Sequence, residues 1–151
     1  MFRGENKVTL DAKGRLAMPT RYRDGIAEDA AGRLVVTIDH VERCLLVYTQ
    51  PDWDEVERKL AKLPALDPRV RSLQRLMIGH ASDVEMDSQG RVLIPPNLRE
   101  YAGLQRDVVL SGQGTRFELW DEALWLAQRD ADRKLQQEGQ SLSPELSSIS
   151  F

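Results

Sequence analysis

Two segments of the chain share a residue pattern that could bind an anion. In each, an aspartate is followed three positions later by a glycine and then by an arginine: Asp11, Gly14 and Arg15 in the first segment, Asp87, Gly90 and Arg91 in the second. Aspartate accepts hydrogen bonds from the backbone that follows it, and glycine readily adopts a positive φ, so the pattern predicts a tight turn. An arginine on such a turn can bind guanine or phosphate through its planar fork of donors. A purely structural turn with an exposed arginine is the alternative that the pattern leaves open.

The first turn has more basic neighbours than the second. Lys13 lies within it, and four other basic residues are close in sequence, namely Arg3, Lys7, Arg21 and Arg23. In the second turn Gln89 occupies the position of Lys13, and Glu85 lies in the strand before it. The first turn is therefore predicted to be the principal polyanion-binding site, with Arg91 as a candidate secondary contact.

The overall charge hides this local excess. The 151-residue chain has a net charge of −3 at pH 7, but residues 1–75 contain 14 basic and 12 acidic residues, whereas residues 76–151 contain 7 and 12. The first 25 residues alone contain six basic and three acidic residues. Because the local field rather than the total charge steers a polyanion, a nucleic-acid partner remains open. A charged surface that contacts only solvent is the alternative.

Catalytic and metal-binding chemistry have little support in the sequence. The one cysteine, Cys44, follows His40 by four residues, which only loosely resembles a nucleophile with its base; its apolar surroundings favour an inert thiol. The other histidine, His80, is distant, and no metal-ligand spacing occurs, so neither a metal nor a cofactor is expected. A single cysteine, with no apolar run long enough for a membrane span or a signal peptide, predicts a cytoplasmic protein without membrane contact.

Comparison of the chain with itself shows that the two turns belong to a longer repeat. Residues 8–23 align with residues 84–99 at an offset of 76, and six of the sixteen positions are identical, where chance would give about one. Further along, Tyr48 and Trp53 match Trp120 and Trp125 at an offset of 72. The chain is therefore predicted to be a tandem of two similar modules.

Each module is predicted to hold its turn between two short strands. In the first, residues 8–10 and 15–18 form the strands, Pro19 ends the second of them, and residues 20–24 form a short helix that stops near Gly25. The second module repeats this plan, with a strand to Ile94, a helix over residues 96–102 and Gly103 as its stop. Another strand pair follows in each module: 34–39 with 44–48, and 107–110 with 116–120, the latter joined by a flexible connection at 112–114.

Three longer helices are predicted outside these strands. The first opens at residues 51–54 and carries an apolar stripe formed by Trp53, Val56, Leu60 and Leu63. That stripe would pack either on the strands of the same chain or on another subunit. The second helix starts at Asp67 and Pro68 and ends at Gly79, and the third is capped by Asp121 and ends near Gly139.

These elements predict a mainly β protein with α-helices, of the α+β class. A module of about 45 residues rarely buries an independent core, so the two are expected to intertwine into one pseudo-dimeric β-barrel flanked by helices. The predicted boundaries are residues 5–52 for the first module with the principal binding hairpin, 53–80 for the linking helices, 81–124 for the second module, 125–139 for a C-terminal helix and 140–151 for a mobile tail.

Several segments resemble known bacterial regulators. Residues 8–23 and 84–104 resemble the strand–turn–strand–proline–helix signature of AbrB-like swapped-hairpin modules. The opening MFRG, residues 10–23, the segment QRLMIGHA at 74–81 and the segment FELWD at 117–121 closely resemble the MraZ family. The resemblance covers essentially residues 1–138 and implies two tandem AbrB-like modules.

The resemblance also implies a function. It points to a cytoplasmic, nucleoid-associated transcription regulator that forms ring-like homo-oligomers. Its partner would be double-stranded DNA with direct repeats, upstream of the division and cell-wall gene cluster and including its own promoter. The family's DNA-contacting turn maps onto residues 11–15, with Arg15 as the first contact and Lys13, Arg3, Lys7, Arg21 and Arg23 as phosphate contacts. A ring-forming scaffold without specific DNA recognition is the alternative.

Overall fold

The computed structural model describes residues 1–138 and 143–151. The strands in these residues are β1 Phe2–Thr9, β2 Arg15–Ala17, β3 Arg33–Ile38, β4 Leu45–Thr49, β5 Ser82–Glu85, β6 Arg91–Leu93, β7 Asp107–Gly114 and β8 Arg116–Asp121. The helices are α1 Thr20–Ala30, α2 Gln50–Ala61, α3 Pro68–Met77, α4 Pro96–Ala102, α5 Glu122–Gln137 and α6 Pro144–Ser147. The predicted mixture of strands and helices is confirmed. Within the described residues, no helix is both long and apolar enough to cross a membrane.

The strands of the two halves pair with one another. One sheet has the order β1-β7-β8-β4-β3-β5, and β2 and β6 form a separate two-stranded ribbon. The antiparallel pairs β1–β7, β4–β8, β3–β5 and β2–β6 each join a strand from the first half to one from the second. Neither half therefore completes its strand pairing alone, as expected for modules too small to bury a core.

The predicted closed barrel is not formed by the described residues. The six-stranded sheet is open, with β1 and β5 at its two edges. The physical reason lies in the two turns, after which the chain leaves the large sheet. The strands that follow the turns, β2 and β6, hydrogen-bond to each other, so they do not bridge the edges of that sheet.

The ribbon has one buried face and one solvent face. Leu16 and Val92 lie opposite each other in register and are buried in the main core, together with Met18 and Ile94, which directly follow the ribbon strands. Because successive residues of a strand alternate between faces, Arg15, Ala17, Arg91 and Leu93 share the outer face. The buried face fixes the ribbon on the core, and the outer face is left to contact solvent or a partner.

A second apolar cluster covers the other side of the sheet. Trp53 and Leu60 of α2 and Met77 at the end of α3 pack with Val35, Leu46 and Tyr48 of the central strands. The predicted stripe on α2 therefore packs within the chain at Trp53 and Leu60. Leu63 lies beyond the end of the helix and is 39% exposed, so it does not extend the stripe.

The first short helix is longer than predicted. It does not stop at Gly25 but continues to Ala30, and its cap is Ala31, at φ 50°, followed by Gly32 at φ 77°. Ile26 and Ala30 are buried, and their packing outweighs the weak helix propensity of one glycine, which costs about 1 kcal/mol. In the second module, α4 does end as predicted, with Gly103 in the left-handed region at φ 63°.

We expect Gly25→Ala to stabilise the protein by about 0.5–1 kcal/mol. A Cβ at Gly25 would meet nothing within 4 Å, so the substitution only reduces the conformational freedom of the unfolded chain. Gly14→Ala is the matched control and should destabilise, because Gly14 has a φ of +84°. Urea unfolding of both variants measures the two changes. A Gly25→Ala protein that is less stable than the parent would contradict this account of α1.

Two further differences concern one connection and the end of the chain. Residues 112–114 are not a flexible connection but belong to β7, where they pair with residues 2–4 of β1. At Gly112 a Cβ would lie 2.5 Å from the backbone nitrogen of Arg3, so only glycine allows this close strand pairing. Helix α5 begins at Glu122 and is described to Gln137; the predicted stop at Gly139 lies outside the described residues. The proposed tail, 140–151, is described from residue 143 and includes the short helix α6.

Candidate nucleic-acid interface

The first turn is built around the carboxylate of Asp11. Its Oδ1 accepts hydrogen bonds from the backbone N–H groups of Lys13, at 3.0 Å, and Arg15, at 2.9 Å. Its Oδ2 accepts a hydrogen bond from Nε of Arg15 at 2.7 Å. Gly14 closes the turn at φ +84° and donates its N–H to the carbonyl of Asp11 at 3.0 Å. One carboxylate thus fixes both the turn and the arginine that follows it.

This hydrogen bonding keeps Asp11 ionised. The backbone N–H of Arg15, the Arg15 side chain and the backbone N–H of Lys13 together lower the pKa of Asp11 to about 2. Because the pKa of Asp11 is lower in the folded than in the unfolded state, ionised Asp11 stabilises the folded state at any pH above the ordinary carboxyl pKa. This stabilisation is lost as the pH falls through about 2. At neutral pH Arg15 is therefore held through Nε, and its two terminal nitrogens have no hydrogen bond within the described part of the chain.

The second turn repeats this geometry. Oδ1 of Asp87 accepts hydrogen bonds from the backbone N–H groups of Gln89 and Arg91, at 2.9 and 2.8 Å, and Oδ2 accepts from Nε of Arg91 at 3.0 Å. The same contacts, led by the Arg91 backbone, lower the pKa of Asp87. Gly90 has a φ of +77°. The Asp–x–x–Gly–Arg pattern of the sequence thus forms the same hydrogen-bonded turn in both halves of the chain.

Each turn is supported by an arginine from the other half of the chain. Arg99 of α4 donates Nε to the carbonyl of Ile94 at 2.9 Å, and its guanidinium lies where a Cβ on Gly14 would be. Arg23 of α1 donates Nε to the carbonyl of Met18 at 2.7 Å and lies against Gly90 in the same way. The exchange follows from the ribbon, since pairing of β2 with β6 carries each turn to the helix of the opposite half.

The structure separates Arg23 from Arg15. The sequence grouped Arg23 with Arg15, because they are close in the chain, but the structure places Arg23 at the second turn. Arg99, which is not among the residues predicted from the sequence, takes the corresponding place at the first turn. A signal was available, since Arg23 and Arg99 are one of the six identities of the repeat.

A groove of about 760 Å³ lies beside the first turn. Four arginines line it, Arg15 and Arg91 from the ribbon with Arg99 and Arg106 from the second half of the chain, and Asp11 is the one carboxylate among its lining residues. Arg15 and Arg91 are diagonal neighbours on the outer face of the ribbon, so their Cα atoms are about 7–8 Å apart. The arginine of the second turn therefore faces the same groove as that of the first.

The remaining predicted residues lie at different distances from this groove. Lys13 is exposed within the turn itself, and Lys7 is exposed on β1, two residues before Thr9, which lines the groove. Arg3 lies six strand positions from Thr9, about 20 Å away along the strand. Arg21 donates Nη2 to Oδ1 of Asn6 at 2.5 Å. The structure thus brings Lys13 to Arg15, keeps Lys7 close, and separates Arg3, Arg21 and Arg23 from the first turn.

Cys44 occupies a buried position directly before β4. Its side chain is fully buried, and burial raises the pKa of the thiol above its ordinary value, with Glu118 and Asp39 acting in the same direction. A thiol held protonated is a poor nucleophile. The nearest histidine in sequence, His40, has its Nδ1 3.6 Å from Asp39. The position of Cys44 therefore favours the inert role that its apolar neighbours in the sequence indicate.

The burial of Cys44 leads to a direct test. We expect the native protein to resist iodoacetamide at pH 8, because the thiol is inaccessible and protonated, and to be alkylated at one site once urea unfolds it. Mass spectrometry of the labelled protein with and without urea provides the measurement and its control. Rapid labelling of the folded chain would show that Cys44 is accessible and reactive.

Comparison with known proteins places the chain in a family. The family model described as "MraZ protein, putative antitoxin-like" matches residues 1–76 and again residues 77–141. A protein of Coxiella burnetii (strain Dugway 5J108-111) named Transcriptional regulator MraZ is 54% identical over 152 residues, covering 100% of both chains. Proteins of the same name are 53% identical in Thioalkalivibrio sulfidiphilus (151 residues, 100% of both chains) and 58% identical in Nitrosomonas europaea (125 residues, 83% of this chain and 84% of the relative). With the family model matched twice and relatives aligned from end to end, this chain belongs to the MraZ family.

Proposed function

We propose that this protein is a transcriptional regulator that binds double-stranded DNA through the groove at its first turn. The observation that carries the proposal is the outer face of the ribbon, where Arg15 and Arg91 are each held by an aspartate and share one groove. A two-stranded ribbon can enter the major groove of DNA, and a guanidinium can read guanine there. The name of the relatives, Transcriptional regulator MraZ, supports the same role.

The residues would have distinct roles on DNA. Arg15 would contact a base edge or a phosphate, Lys13 and Lys7 would contact phosphates, and Arg91 would make a secondary contact from the same face. Asp11, Gly14, Asp87 and Gly90 form the two turns. Arg3, Arg21 and Arg23 lie outside the groove, so any phosphates that they contact belong to a neighbouring stretch of the duplex.

The strand exchange supports a finer assignment of the fold. We infer that the halves are AbrB-like modules with swapped hairpins, since each turn is completed by the other half. The proposed units remain residues 5–52 and 81–124, with 53–80 as linking helices, 125–139 as a C-terminal helix and 140–151 as a tail. The two strand-exchanged modules would form a pseudo-dimer within one chain.

Tight binding would require several copies of the chain. One groove offers few contacts, and the net charge of the whole chain is −3, so affinity is proposed to come from a ring-like homo-oligomer on direct DNA repeats. From the resemblance to the MraZ family, we propose that those repeats lie upstream of the division and cell-wall genes, including its own promoter. Such a protein would be cytoplasmic and associated with the nucleoid.

The role of Asp11 in orienting Arg15 can be tested without removing the positive charge of Arg15. Asp11→Asn keeps an oxygen for the backbone N–H groups but replaces the oxygen that accepts from Arg15 with an amide donor. We expect the ratio of affinities for promoter and unrelated DNA to fall about tenfold, because a fixed bidentate arginine discriminates bases by about 1–3 kcal/mol. Competition titrations measure this ratio. Asp87→Asn is the matched control, and an equal loss in both variants would argue against a principal first turn.

The proposed function is tested by footprinting the purified protein on the DNA upstream of its own gene. We expect protection of spaced, repeated segments at protein concentrations that leave unrelated DNA unprotected. Uniform protection, or none, together with an intact oligomer would favour a ring-forming scaffold without specific recognition.

A further inference from the structure

Two arginines in the groove have no ionic partner in the described part of the chain. Arg15 is paired with Asp11 and Arg91 with Asp87, whereas no ion pair involves Arg99 or Arg106. The only carboxylate that lines the groove among the described residues is already paired. The groove therefore carries an excess of positive charge, which an anion of the phosphate type would balance.

We propose that Arg106 binds a DNA phosphate in this groove and that Arg99 positions the first turn for the same contact. This inference rests on the proposed function and assigns to it two residues from the second half of the chain. The anion-binding site of the first turn would then be composite, with Arg15 and Lys13 from one half and Arg106 and Arg99 from the other.

The backbone holds Arg106 directly beside the turn. Its carbonyl accepts the N–H of Leu10 at 2.8 Å, and the next residue, Asp107, is paired with Thr9 in the β1–β7 ladder. Arg106 is thus attached to the chain at the point where β1 enters the turn. Its side chain is exposed and lines the groove with Arg15. A phosphate that Arg15 binds in this groove would therefore lie in a site that also contains the cation of Arg106.

Arg99 acts through the turn. Its Nε is engaged by the carbonyl of Ile94, whose own N–H donates to the carbonyl of Gly14 at 3.0 Å. The guanidinium occupies the space that glycine leaves open at position 14. Arg99 thereby supports the backbone that carries Arg15 and adds a positive charge to the lining of the groove. We therefore class it as a positioning residue.

The second turn cannot provide the same site. The residue beside it is Gly32, whose carbonyl accepts the N–H of Met86 at 2.8 Å, just as the carbonyl of Arg106 accepts that of Leu10. Gly32 has a φ of +77°, and a Cβ there would lie 3.3 Å from the carbonyl oxygen of Met86, so a long side chain is disfavoured. The cations at the first turn are Arg15, Lys13, Arg106 and Arg99. The second turn has Gln89 in place of Lys13 and Gly32 in place of Arg106, so it lacks two of these four.

The test compares charge loss at two positions. Arg106→Gln removes one charge from the groove, and Arg129→Gln removes one from an exposed position on α5, so both proteins have the same net charge. Affinity for a promoter duplex is measured by fluorescence anisotropy at several salt concentrations. We expect the slope of log K against log salt to become shallower by about one per bound subunit in Arg106→Gln and to stay unchanged in Arg129→Gln.

Two further variants separate the roles. Arg106→Lys should restore the salt slope, because a single phosphate contact needs only a cation. Arg99→Lys should keep the slope but weaken binding severalfold, because an ammonium cannot reproduce the guanidinium contact at Gly14. An Arg106→Gln slope equal to that of the parent, with Arg15→Ala still inactive, would overturn this inference and leave the proposed function standing. Failure of the parent protein to bind the duplex would instead overturn the proposed function.

Discussion

Replacing Arg15 with alanine should abolish specific DNA binding and leave the fold intact. Arg15 is on the solvent face of the ribbon, and Leu16 on the opposite face anchors the strand in the core. Loss of a bidentate contact costs about 1–3 kcal/mol per subunit, and the loss multiplies when several subunits share one site. A gel-shift titration with promoter DNA measures the effect, with the melting temperature and the oligomer size as controls. Unchanged promoter affinity would show that Arg15 is not the principal contact.

Arg91→Ala is the closest comparison that the chain offers. Like Arg15, Arg91 donates a hydrogen bond to the aspartate of its own turn and lies on the outer face of the ribbon. Lys13 and Arg106, however, are next to the first turn only. We therefore expect Arg91→Ala to weaken binding less than Arg15→Ala does. Equal losses in two proteins with intact oligomers would mean that the diagonal pair acts as one unit.

Local features of the site could be predicted from the sequence because they depend on neighbouring residues. The turns at Asp11 and Asp87 form from backbone groups within four positions, and the helix caps at Asp67 and Asp121 each bind an N–H two residues later. Such contacts follow from residue type and spacing alone. A local signal of the same kind, the glycine at position 103, correctly predicts the end of α4.

The composition of the groove could not be predicted in this way. Arg106 reaches the first turn through a backbone bond to Leu10, 96 positions earlier in the chain, and Arg99 reaches it through the β2–β6 pairing. Neither contact leaves a local pattern in the sequence. Proximity in the chain also does not predict the place of Arg23, because strand exchange puts that side chain at the other turn.

Competition between local propensity and packing explains the remaining differences. Gly25 carries the local signal of a helix stop, yet the buried side chain of Ile26 keeps the helix intact. The glycines at 112 and 114 carry the signal of a flexible connection, yet both lie in β7, and Gly112 lets that strand approach β1 closely. In both cases contacts with distant parts of the chain determine the local structure. The periodicity of apolar residues in the sequence depends only on neighbouring residues, so it does not show such contacts.

A duplex with several direct repeats should bind far more tightly than a duplex with one. If subunits of a ring engage successive repeats, the later contacts become intramolecular, and avidity can exceed single-site affinity by about 10²–10⁴. One groove offers about four cations, so its log–log salt slope should be about −3 to −4 at most. The multi-repeat complex should be clearly steeper. Fluorescence anisotropy at several salt concentrations, on one-repeat and multi-repeat duplexes of equal length, measures both quantities.

The equal length of the two duplexes controls for the phosphates that each offers. A longer polyanion would by itself raise the nonspecific affinity, so the single-repeat duplex must be padded with unrelated sequence. The Arg15→Ala protein supplies the second control, since it should bind both duplexes equally weakly. Equal slopes and equal affinities for the parent protein would rule out multivalent recognition. The net-acidic chain would then bind DNA as a monovalent protein, with the four groove cations of one subunit carrying the whole interaction.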